Sequence, residues 1–183
     1  MDATSVINGD YAVFTWLNGF AGRSVWSDLL AVILAQGVIF LLLAGLVIFV
    51  MRSGRGRLRH AVEALIAAAF SRLVIISLIR LYLERPRPFA GHVVNVLIPE
   101  PFDASFPSSH TSIMFALGFS LLLTNRRWGV AYLILALLSG FARVVVGVHF
   151  PLDIFVGVLV GLISALTLRL LASYCQGKNI VQE

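Results

Sequence analysis

The stretch RRWGVAYLILALLSGFARVVVGVHFPLDIFVGVLVGLISALTLRLLA, residues 126–172, decides the fold. It contains two apolar runs, about Trp128 to Val148 and Leu152 to Ala172. Each is close to the roughly 20 residues that carry a helix across a bilayer. At their junction the chain places His149, Pro151 and Asp153, and Arg143 stands near the end of the first run. Such side chains are costly in hydrocarbon, so their gathering at the ends of spans marks a candidate functional site.

Outward from this pair the same pattern recurs. Further apolar runs lie at about Trp26 to Met51, Ala61 to Leu81 and Thr111 to Thr124, the last short and expected to extend at one end. The 183 residues are 59% hydrophobic and only 13% charged, whereas about a quarter of a soluble chain is charged. The expectation is an all-α integral membrane bundle of about five transmembrane helices, forming one domain over residues 1–183 with a catalytic core at about 60–170. Residues 1–25 are expected to form an N-terminal interfacial segment. Within it residues 8–22 (NGDYAVFTWLNGFAG) are too short to span, and their aromatic residues suit a helix at the membrane surface. The acidic Asp2 and Asp10 speak against a secretory signal. The lone Cys175 excludes an internal disulfide.

The net charge of +5 does not form one basic surface, which argues against a nucleic-acid partner. Instead the segment Arg52 to His60 holds four Arg and no acid. Short cytoplasmic loops are enriched in such residues, so this loop, Arg126-Arg127 and the Lys178 tail are expected inside. The N-terminus and the Tyr82 to Ser109 loop then lie outside.

With spans alternating, three polar fragments arrive at one face. These are Arg80-x6-Arg87-Pro88, Pro107-Ser108-Ser109-His110 and Arg143-x5-His149-x3-Asp153. Ser108 and Ser109 are good N-caps for the third span, and a helix N-terminus attracts anions. Pro151 suits the first turn of the fifth helix, which leaves His149 in the loop, folded back within reach of Asp153. A carboxylate there fixes the tautomer of the imidazole. Two histidines allow a division of labour, one attacking phosphorus and the other, His110, protonating the leaving oxygen. Arg80, Arg87 and Arg143 can neutralise the phosphoryl oxygens. No metal or other cofactor is required by this set, since a ring of arginine repels a cation.

These fragments resemble the signature of the type 2 phosphatidic acid phosphatase superfamily: K-x6-R-P, P-S-G-H, S-R-x5-H-x3-D. Arg80 stands in place of the lysine, Ser109 in place of the glycine, and Ala142 in place of the last element's serine. The resemblance implies His149 as nucleophile, Asp153 as its support and His110 as general acid. It also implies phosphate binding by Arg80, Arg87, Arg143, Ser108 and Ser109. Arg80 keeps the charge of lysine but presents a planar fork. Within the superfamily, ERPRPF (84–89), LIPEPFDASFP (97–107) and INGDYAVFTWLNGFA (7–21) resemble the bacitracin-resistance type of undecaprenyl-diphosphatase. That implies a polyprenyl diphosphate lipid as substrate, cleaved at the outer face of a bacterial plasma membrane among its lipids.

Other readings remain open at this point. The substrate could be phosphatidic acid, phosphatidylglycerophosphate or lipid A. An anion transporter would want charge near mid-span, where only Glu63 and Arg72 tend, Arg72 pairing there with a neighbour or a carbonyl. A silent binding protein is suggested only by Arg80. Arg85 matches no signature position and reads as a headgroup contact; Glu84 and Asp103 read as loop structure, and His92 has no assigned role. Gly157-x3-Gly161 is a helix-contact motif that serves a homodimer or packing inside the bundle.

Overall fold

The computed structural model describes residues 3–52 and 55–180. Asp2, Ser53 and Gly54, which belong to the acidic start and the basic run read above, lie outside the described residues. The described residues contain helices, turns and loops and no strand. Helix α1 is Ala3–Asn18. The long apolar helices are α2 (Val25–Met51) and α3 (Gly56–Tyr82). A single turn, α4 (Pro88–Gly91), interrupts the loop that follows. Then come α5 (Ser109–Leu122), α6 (Arg126–Val145) and α7 (Pro151–Ile180). Four of these, α2, α3, α6 and the Pro151–Cys175 part of α7, are long and apolar enough to cross a membrane.

The third expected span is the exception, and its shortness has a physical reason. At 14 residues, α5 is roughly 21 Å long, well short of a 30 Å hydrocarbon layer. Its expected extension is at the start, where it takes in Ser109 and His110 of the motif, and it ends at Leu122. Lipid does not dictate its length because protein surrounds it. Thr111, Ser112, Met114, Phe115, Ala116, Leu117, Gly118 and Leu121 are all buried. Around it α2 supplies Leu42, Leu46 and Phe49, α3 supplies Ala61, Ala64, Ala67 and Ala68, and α6 supplies Tyr132 and Ala136. The alanine face lets the α3 backbone come close. Gly157 and Gly161 do the same for α7, where an added Cβ would sit 2.9 Å from the Ser108 carbonyl and 2.8 Å from the Ala116 nitrogen. The Gly-x3-Gly motif is therefore spent inside the chain, facing α5, rather than offered to a second copy.

Large apolar side chains such as Phe40, Leu73, Leu137 and Leu170 point outward, as they would toward lipid. At one end of the bundle Glu63 draws together Arg59 (2.9 Å), His60 (3.6 Å) and Arg169 (3.7 Å). At the other end a second core joins Phe14 and Leu17 of α1 to Ile98 of the long loop and to Val144, Val146 and Val148. There Asn18 acts as a staple. Its amide donates to the carbonyls of Asn95 (2.7 Å) and Val145 (2.9 Å), and its side-chain oxygen accepts from the Asn95 N–H (2.9 Å). The helix α1 thus packs on the end of the bundle where the long loop folds over, with Ile7, Val13 and Trp16 left exposed.

Two stretches depart from the α pitch. Ile33–Gly37 in α2 and Ser71–Ile76 in α3 are π-helical. Such segments free backbone groups and often mark functional positions; Ala35, in the first, offers its carbonyl to Arg143 (3.4 Å).

Candidate active site

The turn between α6 and α7 sets the position of His149. Gly147 takes a φ of +86°, a conformation that side chains disfavour, and the Asn95 carbonyl occupies the space a Cβ would need. The Val148 N–H returns to the Arg143 carbonyl (3.2 Å). Pro151 opens α7, and three positions after Phe150 the Asp153 carboxylate reaches back to the Phe150 N–H (2.9 Å). That is half of a capping box, made by an acid at the third helical position. Its same oxygen, Oδ2, lies 3.4 Å from Nδ1 of His149. The carboxylate can only accept, so Nδ1 carries the proton there and Nε2 keeps its lone pair. His149 is 2% exposed. Burial pushes its imidazole down to about 4, against the opposing hydrogen bond and charge of Asp153. It is neutral near pH 7.

His149 opens on a cavity of about 190 Å³ shared with His110, Ser109, Arg80, Arg87, Arg143 and Arg72, with Glu100, Pro101 and Asp103 on the loop side. The three fragments read from the sequence therefore do meet. Their arginines are held in place by two acids spaced three apart. Glu100 bridges Arg143 (2.6 Å) and Arg87 (3.4 Å). Asp103 bridges Arg87 (2.8 Å) and Arg80 (3.3 Å). Burial would raise both acids, but the facing guanidiniums outweigh it and hold each below its ordinary value. Arg87 also donates to the Val148 carbonyl (3.2 Å), beside the turn that carries His149, and Arg80 donates to the Pro107 carbonyl (3.2 Å). The Nε of Arg80, the Nε of Arg143 and the Ser109 hydroxyl are buried without a hydrogen-bond partner. Buried polar atoms are normally paired, and three such atoms at one cavity form a site with donors to spare.

Ser108 stands behind this wall. It caps α5, its hydroxyl taking a hydrogen bond from the Thr111 hydroxyl (3.0 Å), and its N–H is given to the Asp153 carbonyl (3.1 Å). It links the second and third fragments and is fully buried.

Residues that the motif reading set aside turn out to matter. Arg85 is tied into the protein. Its guanidinium joins Asp153 (3.1 Å) to Asp10 of α1 (2.6 Å) and lies 3.8 Å from the centre of the Phe150 ring. Asp10 in turn accepts from the Leu152 N–H at the start of α7 (2.8 Å). A carboxylate on α1 thus braces the carboxylate behind His149. The sequence signal was Asp10 itself, the one charged residue of that helix. Asp103 does more than shape the loop, as does Glu100, and Arg72 lines the cavity, without an ion pair among the described residues. His92 stacks on Tyr11 at 4.4 Å and meets Phe150 edge-on at 6.5 Å, outside the cavity that holds His149.

The chain is similar to several known proteins. The chain is 35% identical over 155 residues to "Undecaprenyl-diphosphatase BcrC" of Bacillus subtilis, covering 84% of this chain and 79% of that one. Among solved structures it superposes on Aquifex aeolicus LpxE with a TM-score of 0.71 and 28% identity, covering 86% of this chain and 93% of the other. It also superposes on a transmembrane PAP2-type phosphatidylglycerolphosphate phosphatase of Bacillus subtilis, at a TM-score of 0.68 and 20% identity over 93% and 87% of the two chains. The latter likeness is one of fold. The profile of the PAP2 superfamily matches residues 60–177, the span that carries all three fragments, and the chain belongs to that superfamily.

Proposed function

We propose that the protein hydrolyses a polyprenyl diphosphate lipid, undecaprenyl diphosphate, to its monophosphate and phosphate, recycling a cell-wall carrier lipid. The carrying observation is a neutral, carboxylate-backed His149 opening on a cavity ringed by arginine. In the first step Nε2 of His149 attacks the terminal phosphorus. The bond from that phosphorus to the bridging oxygen breaks, and His110, protonated once the negative charge of the diphosphate enters the cavity, gives the departing prenyl phosphate its proton. Arg80, Arg87 and Arg143 balance the charge on the transferring group, with Glu100 and Asp103 holding their forks in place. Asp153 takes up the charge that His149 gains. In the second step His110 removes a proton from water, whose oxygen attacks the phosphohistidine. The P–N bond breaks, its electron pair returns to Nε2, and phosphate leaves.

The site is read as facing outward from a bacterial plasma membrane. Support comes from the basic run that ends at Arg59, which lies at the end of the bundle opposite His149. The likeness to a relative named undecaprenyl-diphosphatase supports the choice of substrate. The test is phosphate release by purified protein from a panel of undecaprenyl diphosphate, phosphatidic acid, phosphatidylglycerophosphate and lipid A. The proposal expects the prenyl diphosphate to be hydrolysed best. No release from it, with turnover of one of the others, would replace the substrate while keeping the chemistry.

A further inference from the structure

We propose that Arg72 forms a second phosphoryl subsite, deeper in the membrane than the first, which holds the lipid-linked phosphoryl group of a diphosphate while the terminal group lies at His149. The inference rests on the lipid diphosphate reading above and adds to it the residue that would tell a diphosphate from a monophosphate.

Arg72 lines the same cavity as His149 and Arg80. It precedes Arg80 by eight residues on α3, which places its Cα about 12 Å further along the helix, away from the loop end. A cation inside an apolar span is costly and is kept where it meets an anion. Here no carboxylate supplies one. The two acids of the cavity engage Arg80, Arg87 and Arg143, and among the described residues Arg72 has no ion pair. The π-helical segment Ser71–Ile76 departs from the regular pitch at this residue. The Ser109 hydroxyl, another cavity wall group, is buried and unpartnered. The cavity thus has more donors than one phosphoryl group at His149 requires of Arg80, Arg87 and Arg143.

Depth fits the chemistry of the substrate. A prenyl chain held in the bilayer places the phosphoryl group bonded to it on the membrane side and the terminal group on the side of the loop. Arg72 is on the membrane side and His149 on the loop side. A free diphosphate has the same two groups without the chain, so the ligand's source is settled by comparing the two.

The test is equilibrium binding to detergent-solubilised protein carrying His149→Ala, which blocks turnover and serves as wild type with respect to Arg72, measured calorimetrically for inorganic pyrophosphate, inorganic phosphate, farnesyl diphosphate and farnesyl phosphate. Wild-type protein is expected to prefer each diphosphate over the matching monophosphate. In Arg72→Gln that preference should fall about tenfold, as loss of a charge-assisted hydrogen bond implies, and Arg72→Lys should restore most of it. A wild-type protein without the preference, or an Arg72→Gln change that is equal for mono- and diphosphates, would overturn the proposal. Farnesyl diphosphate binding no tighter than pyrophosphate would overturn the lipid-linked part. Because binding is read without turnover, failure of the hydrolysis assay on undecaprenyl diphosphate is a separate result. Both variants keep a side chain of similar length, so loss of the fold would show as loss of all four ligands in both.

Discussion

Behind His149 stands a line of alternating charges: Asp153, then Arg85, then Asp10. Asp153 is fully buried and Asp10 nearly so, and the guanidinium between them offsets both. Replacing Arg85 with Gln leaves two buried carboxylates uncompensated. The nearer one then favours the imidazolium form of His149 more strongly. Arg85→Gln should lower kcat at least about tenfold, roughly 1.4 kcal/mol of transition-state stabilisation. It should also move the acid limb of the pH–rate profile upward, with partial recovery in Arg85→Lys. A fall in kcat with an unmoved acid limb would assign Arg85 a structural part only. The same imidazole couples acidity to stability. Burial holds it at about 4 against an ordinary 6.5. Between those values the unfolded chain binds the proton more readily than the folded one, so acid favours unfolding. The stability is complete above 6.5 and is lost as pH falls toward about 4. Thermal unfolding in detergent, scanned from neutral to acidic pH, should show a steeper loss of Tm in wild type than in His149→Gln.

At the scale of helices, α5 decides the architecture. At 14 residues it is shorter than the hydrocarbon layer, and it is kept in place by close backbone approaches, among them that of Gly161, where a Cβ would lie 2.8 Å from the Ala116 nitrogen and the Phe115 Cβ. Gly161→Ala should therefore cost about 1–3 kcal/mol through overpacking. Gly56→Ala, with nothing within 4 Å of the added carbon, should be neutral or slightly stabilising, as alanine is the better helix former. Comparison of their melting temperatures checks both. The four long spans were legible from hydropathy alone, because their exposed positions are mostly apolar. The start of α5 at Ser109 was legible from capping chemistry. Its termination after 14 residues was not, because length is read against lipid and this helix is enclosed by protein. The π-helical segments carry no sequence signature, and with them the roles of Arg72 and of the Ala35 carbonyl stayed hidden. Arg85 escaped because the two acids that it joins lie 143 positions apart and meet only once α1 docks on the turn before α7.

For the molecule as a whole, the fold brings all of its paired phosphate chemistry to one end and a separate ion cluster around Glu63 to the other. The reading of sidedness assigns the Glu63 end to the cytoplasm. Cys175, exposed near the end of α7, reports on it directly. A membrane-impermeant maleimide should leave Cys175 unlabelled in intact cells and label it after permeabilisation; labelling in intact cells would invert the topology. The central claim, however, is that His149 attacks phosphorus from within the arginine-lined cavity. The most direct measurement is a rapid alkaline quench of the enzyme during turnover of substrate labelled in its terminal phosphate, followed by mapping of the phosphorylated peptide. The account predicts label on His149, with neither label nor hydrolysis in His149→Ala. Label on another residue, or hydrolysis that persists in His149→Ala, would contradict it.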